Sequence, residues 1–352
     1  MKPPPQRLPV RAAAALLLPL LASALPAAPG LFGMSGFSDS PQLLGIDALT
    51  GAVAPVSPTN ASLPFEEVAM GLAAVDDASA TYFVVGLNES RQAATVVGVS
   101  LATGAVVSSC ASPFAFTGAG ESITWAGAPR SQLIVGGHMR DSGARALGAL
   151  DMASCAYTNL ATLSASLMSW PAAASAYVPA SDELVVVFSA DAQGSSTQLV
   201  SVSLASGNSS LWPAGAGSHC SLAESLSLDR TSGLLFSIGG AGAGAADGAA
   251  NATRQLLALD PGRRSCAKQG DISPPFLDML ESLAGFDASL REVLWVSQAG
   301  GADDDAPFFL VRTPVGGGGV SAAVALEGCT GFFAIACPWQ LGFLNGVAGR
   351  TA

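Results

Sequence analysis

A unit of about fifty residues recurs along this chain, and that period narrows the possible folds more than any other feature. One strand of the unit reads Leu44-Gly45-Ile46-Asp47, then Val97-Gly98-Val99-Ser100, Leu147-Gly148-Ala149-Leu150-Asp151, Val200-Ser201-Val202-Ser203 and Leu257-Ala258-Leu259-Asp260. The Asp or Ser positions 47, 100, 151, 203 and 260 are 53, 51, 52 and 57 residues apart. Thr50-Gly51, Thr103-Gly104, Ser206-Gly207 and Pro261-Gly262 close four of these copies with a turn. Phe308-Phe309-Leu310-Val311 is a weaker sixth copy.

The strand before it recurs as well. It reads Tyr82-Phe83-Val84-Val85-Gly86, Leu133-Ile134-Val135-Gly136-Gly137, Leu184-Val185-Val186-Val187-Phe188, Leu234 to Gly239 and Val293-Leu294-Trp295-Val296-Ser297, with an N-terminal version at Leu31-Phe32-Gly33. Polar turns precede these strands, as at Asp76-Asp77-Ala78-Ser79, Pro129-Arg130-Ser131, Ser181-Asp182, Asp229 to Gly233 and Asp287-Ala288-Ser289. Apolar strand, polar loop, strand, turn and strand again is an antiparallel meander.

Short meanders at this period predict an all-β chain, a β-propeller of six blades with four antiparallel strands each. A single four-stranded sheet cannot bury both faces, whereas radial packing buries each sheet against its neighbours. The tail from Glu327 to Asn345 resembles the start of a unit, with Leu341-Gly342-Phe343-Leu344 as its strand. One blade is then built from both termini, and the propeller domain spans residues 31–346. Seven blades or an incomplete ring are the alternatives. No stretch sustains a 3.6-residue apolar period, which excludes a helical solenoid. Gly239 to Gly248 and Gly316 to Gly319 read as loops within blades.

The first 24 residues read as a secretory signal peptide. Lys2, Arg7 and Arg11 precede the apolar run from Ala12 to Leu25, and Ala22-Ser23-Ala24 offers small residues for cleavage. No other segment approaches the ~18 apolar residues of a membrane span. Four of the six asparagines, Asn60, Asn88, Asn208 and Asn251, stand in glycosylation sequons at expected turns. The cysteines are Cys110, Cys155, Cys220, Cys266, Cys329 and Cys337. An even number in a secreted chain points to disulfides, with fifteen possible pairings. Cys329 and Cys337 are close enough to pair locally, and no CxxC spacing suggests zinc. The net charge of -11 argues against nucleic acid and suits cations or basic partners.

The units resemble those of secreted six-bladed propellers, including the gluconolactonase and strictosidine-synthase-like group. The likeness rests on Glu121-x-x-x-Trp125, on Arg130-Ser131-Gln132-Leu133 leading into a strand, and on Leu147 to Asp151. It covers most of the chain as a generic propeller pattern. The resemblance implies that a Glu at the start of an inner strand, here Glu121, holds a metal. The Asn and Asp ligands that the group takes from other blades have no matching positions here.

Propellers bind ligands on the face shared by loops entering the first strand and loops between the second and third. A carboxylate opens most units: Glu67, Glu121, Glu224 and Glu281, with Glu327 as a further copy. Converging carboxylates suit calcium, which takes six to eight oxygens at roughly 2.3–2.6 Å. His138, following its second strand, and His219, beside Cys220, belong to the same face and are candidate general bases. Asp303-Asp304-Asp305 adds to an acidic rim. No Gly-x-Ser-x-Gly elbow, phosphate loop or His-Glu-x-x-His occurs. The expected function is non-enzymatic: a binding module whose acidic channel face takes an extracellular protein, a glycan or a small ligand. The alternatives are a calcium-dependent lactonase or esterase, with Glu121 as metal ligand and a His moving protons, and a structural extracellular protein without a small-molecule site.

Overall fold

The computed structural model describes residues 31–35, 42–56, 63, 65, 67–87, 94–115, 121–164, 174–189, 197–213, 219–223, 225–239, 254–272, 278–288, 290–298, 307–316, 321–330 and 339–343. The strands follow the repeat. β1 (Leu31–Ser35), β2 (Leu43–Ile46) and β3 (Val53–Pro55) come first, then β4 (Glu67–Asp76), β5 (Thr81–Leu87), β6 (Ala94–Ser100) and β7 (Val106–Ala111). A two-residue β8 (Phe114–Ala115) precedes β9 (Ser122–Ala126), β10 (Gln132–Met139), β11 (Arg145–Leu150) and β12 (Tyr157–Thr162). Next are β13 (Ser175–Val178), β14 (Glu183–Ser189), β15 (Thr197–Ser203) and β16 (Ser209–Leu211). After a short 3-10 helix at His219–Leu222 come β17 (Ser227–Leu228), β18 (Leu235–Gly239), β19 (Gln255–Asp260) and β20 (Ser265–Asp271). The last are β21 (Asp278–Asp287), β22 (Glu292–Gln298), β23 (Pro307–Pro314), β24 (Ala322–Thr330) and β25 (Trp339–Phe343).

These strands form six antiparallel blades. Blade 1 has the order β25-β1-β2-β3, so its innermost strand comes from the C-terminal segment and the rest from the N-terminal one. β25 pairs with β1 from Leu31↔Phe343 to Ser35↔Trp339, as the closing strand expected at Leu341 requires. Blades 2 to 6 begin with β4, β9, β13, β17 and β21, and each innermost strand touches those of its two neighbours around the ring. In blade 3, β10 runs through His138 and on to Met139, with His138 opposite Arg145. His138 therefore lies within the second strand, not in a loop after it.

The apolar runs are strands because both faces of each blade are buried. Every residue of β5 is buried. Tyr82 and Val84 pack on Phe32 and Met34 of blade 1, while Phe83, Val85 and Leu87 pack on Leu133 and Val135 of blade 3. Six such clusters fill the six seams. Each large apolar side chain so buried contributes roughly 1.5–3 kcal/mol. The buried indoles of Trp212 and Trp295 donate to Ser201 Oγ at 2.8 Å and Thr313 Oγ1 at 3.0 Å.

The turns between third and fourth strands weld the seams. In blades 1 to 5 each starts with Asp or Ser, whose side chain accepts from an amide two or three residues on, as Asp47 does from Leu49 and Thr50 at 2.8 and 2.9 Å. Those donors hold the Asp47 carboxyl below its usual range, chiefly through the Thr50 amide. The fifth residue is left-handed: Gly51, Gly104, Cys155, Gly207 and Arg264 have φ of 71°, 69°, 57°, 74° and 52°. This residue meets the preceding blade. A Cβ on Gly51 would lie 2.3 Å from the Ala325 carbonyl oxygen, and one on Gly207 would lie 2.3 Å from that of Leu160. Where the residue is not glycine, its side chain makes the contact. Cys155 forms a disulfide with Cys110 of blade 2, and Arg264 reaches Glu183 of blade 4 at 3.5 Å.

A second disulfide, Cys220–Cys266, ties the short helix to blade 5. These are two of the pairings the sequence left open; Cys337 lies outside the described residues. Asn208 is exposed beside its turn, whereas Asn60, Asn88, Asn251 and the first 24 residues lie outside the described residues. No helix among the described residues is long and apolar enough to cross a membrane.

The turn logic separates two variants of one residue. Cys155→Ala loses the cross-link, at about 2–4 kcal/mol, and keeps a Cβ in a left-handed site. Cys155→Gly loses the cross-link but relaxes the turn, and chemical denaturation should show it about 1 kcal/mol more stable than the alanine variant. Equal losses would contradict a turn-conformation role for this position.

Candidate functional site

The turns joining first and second strands ring one mouth of the channel, because the first strands are innermost. They obey a second repeat. Their first residues are Asp76, Gly127, Val178, Asp229 and Asp287, and their fifth residues Ala80, Ser131, Asp182, Gly233 and Arg291 all have positive φ. Asp76 and Asp229 do the same work. Asp76 accepts from the Ala78 amide at 3.0 Å and the Ser79 hydroxyl at 2.5 Å; Asp229 accepts from the Thr231 amide at 2.9 Å and the Ser232 hydroxyl at 2.7 Å.

The second turn position is occupied by Asp77, Ala128, Pro179, Arg230 and Ala288. Its two charged members stand on blades 2 and 5, which face each other across a six-membered ring. They meet: Arg230 Nη2 lies 3.7 Å from Asp77 Oδ2, and 3.7 Å from where a Cβ on Gly127 of blade 3 would be. One arginine side chain thus spans the mouth.

The contact is an ion pair without a hydrogen bond. Both Asp77 carboxylate oxygens are buried and have no hydrogen-bond partner. A buried acceptor left unmatched costs about 1–3 kcal/mol. Burial pushes the Asp77 carboxyl up to about 6; Arg230 pulls it down and Asp76 pushes it up again.

The neighbouring carboxylates are satisfied. Asp182 receives Arg130 Nε and, at 2.6 Å, Arg130 Nη2, together with the Tyr177 hydroxyl at 3.1 Å. Its carboxyl sits below the usual range, chiefly because of the Arg130 hydrogen bonds. Asp229 is fully buried, with Arg291 Nη1 at 3.4 Å. Burial raises its carboxyl, but the Ser232 hydroxyl, the turn amides and Arg291 outweigh that and leave it lowered. The described first-to-second turns carry five aspartates, Asp76, Asp77, Asp182, Asp229 and Asp287, against three arginines, Arg130, Arg230 and Arg291, so this mouth is acidic. Asp77 is the member whose oxygens are left unmatched.

The described residues expected from the sequence, Glu67, Glu121, Glu281, His138 and His219, stand outside these turns. Glu121 is only 5% exposed and packs over Gly137, in the seam between blades 2 and 3. It lines a cavity of about 20 Å³ with Leu72, Val85, Val96 and Phe114. That volume holds about one water molecule. Glu67 pairs with Leu87, and Glu281 falls in the irregular stretch of β21 between the Met279↔Ser297 and Ala284↔Trp295 pairs. Glu121 and Glu281 each precede the first residue of their turns by six positions, and Glu67 precedes its own by nine because β4 carries a register shift between Val68 and Ala73. Glu224 and Asp303-Asp304-Asp305 lie outside the described residues. Among the described residues, no three His, Cys, Asp or Glu side chains converge as a metal site would.

His138 Nε2 accepts from Arg145 Nε at 2.9 Å. His219 lies in the short helix that packs on β15 and β20, outer strands of blades 4 and 5. The two histidines thus occupy different seams.

Sequence reading treated Asp77 and Arg230 as turn residues only. One signal was available: Asp76-Asp77 puts a second charge where the turns of blades 3, 4 and 6 have Ala, Pro and Ala.

No family model matches this chain, and no curated protein matches its sequence. Solved structures do resemble it. A protein assigned as TolB from Agrobacterium tumefaciens aligns with a TM-score of 0.50 at 11% identity, over 86% of this chain and 90% of that one. The periplasmic gluconolactonase PpgL of Pseudomonas aeruginosa aligns with a TM-score of 0.46 at 12% identity, over 84% and 99%. A protein assigned as a 6-phosphogluconolactonase from Bacteroides fragilis aligns with a TM-score of 0.45 at 10% identity, over 84% and 94%. Likeness at this identity shows the fold alone.

The raised Asp77 carboxyl makes a stability prediction with a definite sign. The folded chain keeps a proton that the unfolded chain releases between about pH 4 and about 6. Stability therefore falls as pH rises through that window, and the ionised carboxylate is a standing cost above it. Asp77→Asn should melt later than wild type at pH 7.5, by about 1–2 kcal/mol, and show no gain at pH 4. An earlier melt at pH 7.5 would contradict the assignment.

Proposed function

We propose that this protein is a secreted, glycosylated binding module, with residues 31–346 as its propeller and 1–24 as its signal peptide. It receives a basic group, an ammonium or guanidinium borne by a partner protein or small ligand, at the acidic mouth of its channel. One observation carries this reading: Asp77 presents two buried carboxylate oxygens that nothing in the chain satisfies, in a ring whose other described aspartates all accept hydrogen bonds. Such a group is stabilised by an incoming cationic donor that gives it hydrogen bonds at short range. Arg230 at 3.7 Å acts as an internal stand-in, near enough to offset part of the charge and too far to satisfy the oxygens. A bound cation takes its place.

The seams support the setting. Disulfides such as Cys110–Cys155 and Cys220–Cys266 persist in oxidising compartments, and exposed Asn208 is open to a glycan. The geometry favours this reading over the metal-dependent hydrolase, since the space beside Glu121 holds about one water.

Fluorescence anisotropy with a labelled Gly-Ser peptide carrying one Lys or Arg, against the same peptide without it, tests the proposal. The basic peptide should bind wild type better than the neutral one. Asp77→Asn should weaken it about tenfold, and Arg230→Ala should tighten it about tenfold by removing the competitor, each worth about 1.4 kcal/mol. If the basic residue is dispensable, or all three proteins bind alike, the reading fails.

A further inference from the structure

Blades 3 and 4 show how this chain matches an aspartate completely. Arg130 Nε donates to Asp182 Oδ1, and Arg130 Nη2 donates to Asp182 Oδ2 at 2.6 Å. Both carboxylate oxygens thus meet two parallel N–H groups of one guanidinium. Asp76 and Asp229 also have both oxygens occupied, Oδ1 by a turn amide and Oδ2 by a serine hydroxyl. Asp77 has neither arrangement. Its Oδ1 and Oδ2 both lack a hydrogen-bond partner, and Arg230 brings one nitrogen to 3.7 Å from Oδ2.

The approach to Asp77 has room on one side and a movable side chain on the other. The first turn residue is Asp, Val, Asp and Asp on blades 2, 4, 5 and 6, but Gly127 on blade 3. Apart from its chain neighbours, a Cβ on Gly127 would meet Arg230 Nη2 at 3.7 Å and no other atom within 4 Å. The room in front of Gly127 therefore borders the guanidinium that faces Asp77. The Arg230 side chain is 49% exposed, and at 3.7 Å no hydrogen bond ties it to the carboxylate. Swinging it outward breaks no hydrogen bond to Asp77 and opens the buried oxygens toward the space beside Gly127.

Two acceptors fixed in one plane call for two donors fixed in one plane. A guanidinium carries them, whereas an ammonium is a compact point charge and a quaternary ammonium has no N–H at all. Resting on the proposal that this mouth receives a basic group, we infer that the group selected is a guanidinium. It meets both Asp77 oxygens side-on, as Arg130 meets Asp182, with its planar head in front of Gly127 and Arg230 displaced. Gly127 is then a specificity-determining residue, because the absence of a side chain there leaves the width that a planar head needs.

Anisotropy with the labelled Gly-Ser peptides separates this inference from the reading beneath it. The arginine peptide should bind wild type at least about tenfold more tightly than the lysine peptide. Gly127 is not left-handed, so Gly127→Val is free of backbone strain; by filling the room it should abolish that preference. Methylguanidinium and methylammonium serve as unlabelled competitors, and methylguanidinium should displace the arginine peptide better. Displacement near the peptide's own Kd identifies a small ligand as the source of the group, and displacement only at far higher concentration identifies a partner protein. If the lysine and arginine peptides bind alike and both better than the neutral peptide, the mouth takes a cation without selecting its shape: the inference is wrong and the reading stands. If neither binds better than the neutral peptide, both fall. The wild-type comparison decides the matter even if the valine variant fails to fold.

Discussion

A four-stranded sheet with two apolar faces is stable only with a neighbour on each side, and a row of such sheets is stable only if it closes. The pairing of β25 with β1 supplies that closure. Without it, Leu31 and Phe32 of blade 1 would lose the innermost strand beside them, and the clusters on both flanks of the blade would open to water. The seams on either side of this joint hold Met34, Tyr82 and Val296, all fully buried. The chain thus places its most separated segments in one sheet, so that local meanders depend on a contact spanning nearly the whole sequence.

Closure also explains the turns. In a ring, each turn faces the blade before it, and its fifth residue is the point of closest approach. The left-handed conformation brings backbone to backbone at Gly51 and Gly207, and the same geometry lets Cys155 and Arg264 reach across with a covalent bond and an ion pair. At the channel mouth the equivalent position gives Asp182 to Arg130, and Arg291 to Asp229. One backbone device, repeated at two turns per blade, is served by different chemistry at each seam.

The repeat was legible because period and turn chemistry are local. The strands at Tyr82, Leu133, Leu184 and Val293, the third strands from Leu44 to Leu257, and the closing strand at Leu341 all lie where sequence pattern puts them. The candidate site was not legible for a geometric reason. Asp77 and Arg230 come together because they hold the same turn position on opposite blades, and angle around a ring leaves no mark in the spacing of one unit. Glu121, by contrast, looks like a channel residue because its motif recurs, yet Gly137 leaves room for it in the seam. His138 was read as a loop residue because Gly136-Gly137 resembles a strand end. The strand continues because both glycines lie under neighbouring side chains, Leu147 at Gly136 and Phe114 at Gly137. The disulfides follow the seams, which sequence separation alone does not reveal.

The central claim is that Asp77 is an unmatched carboxylate awaiting a cation. Carboxyl carbon NMR of 13C-aspartate-labelled protein, assigned with Asp77→Asn, reads it directly. The account predicts a titration midpoint at about 6 in the free protein, moving down toward the ordinary aspartate range when a lysine- or arginine-bearing peptide binds. A midpoint near 4 in the free protein, unmoved by the peptide, would mean that this carboxylate is already satisfied and would contradict the claim.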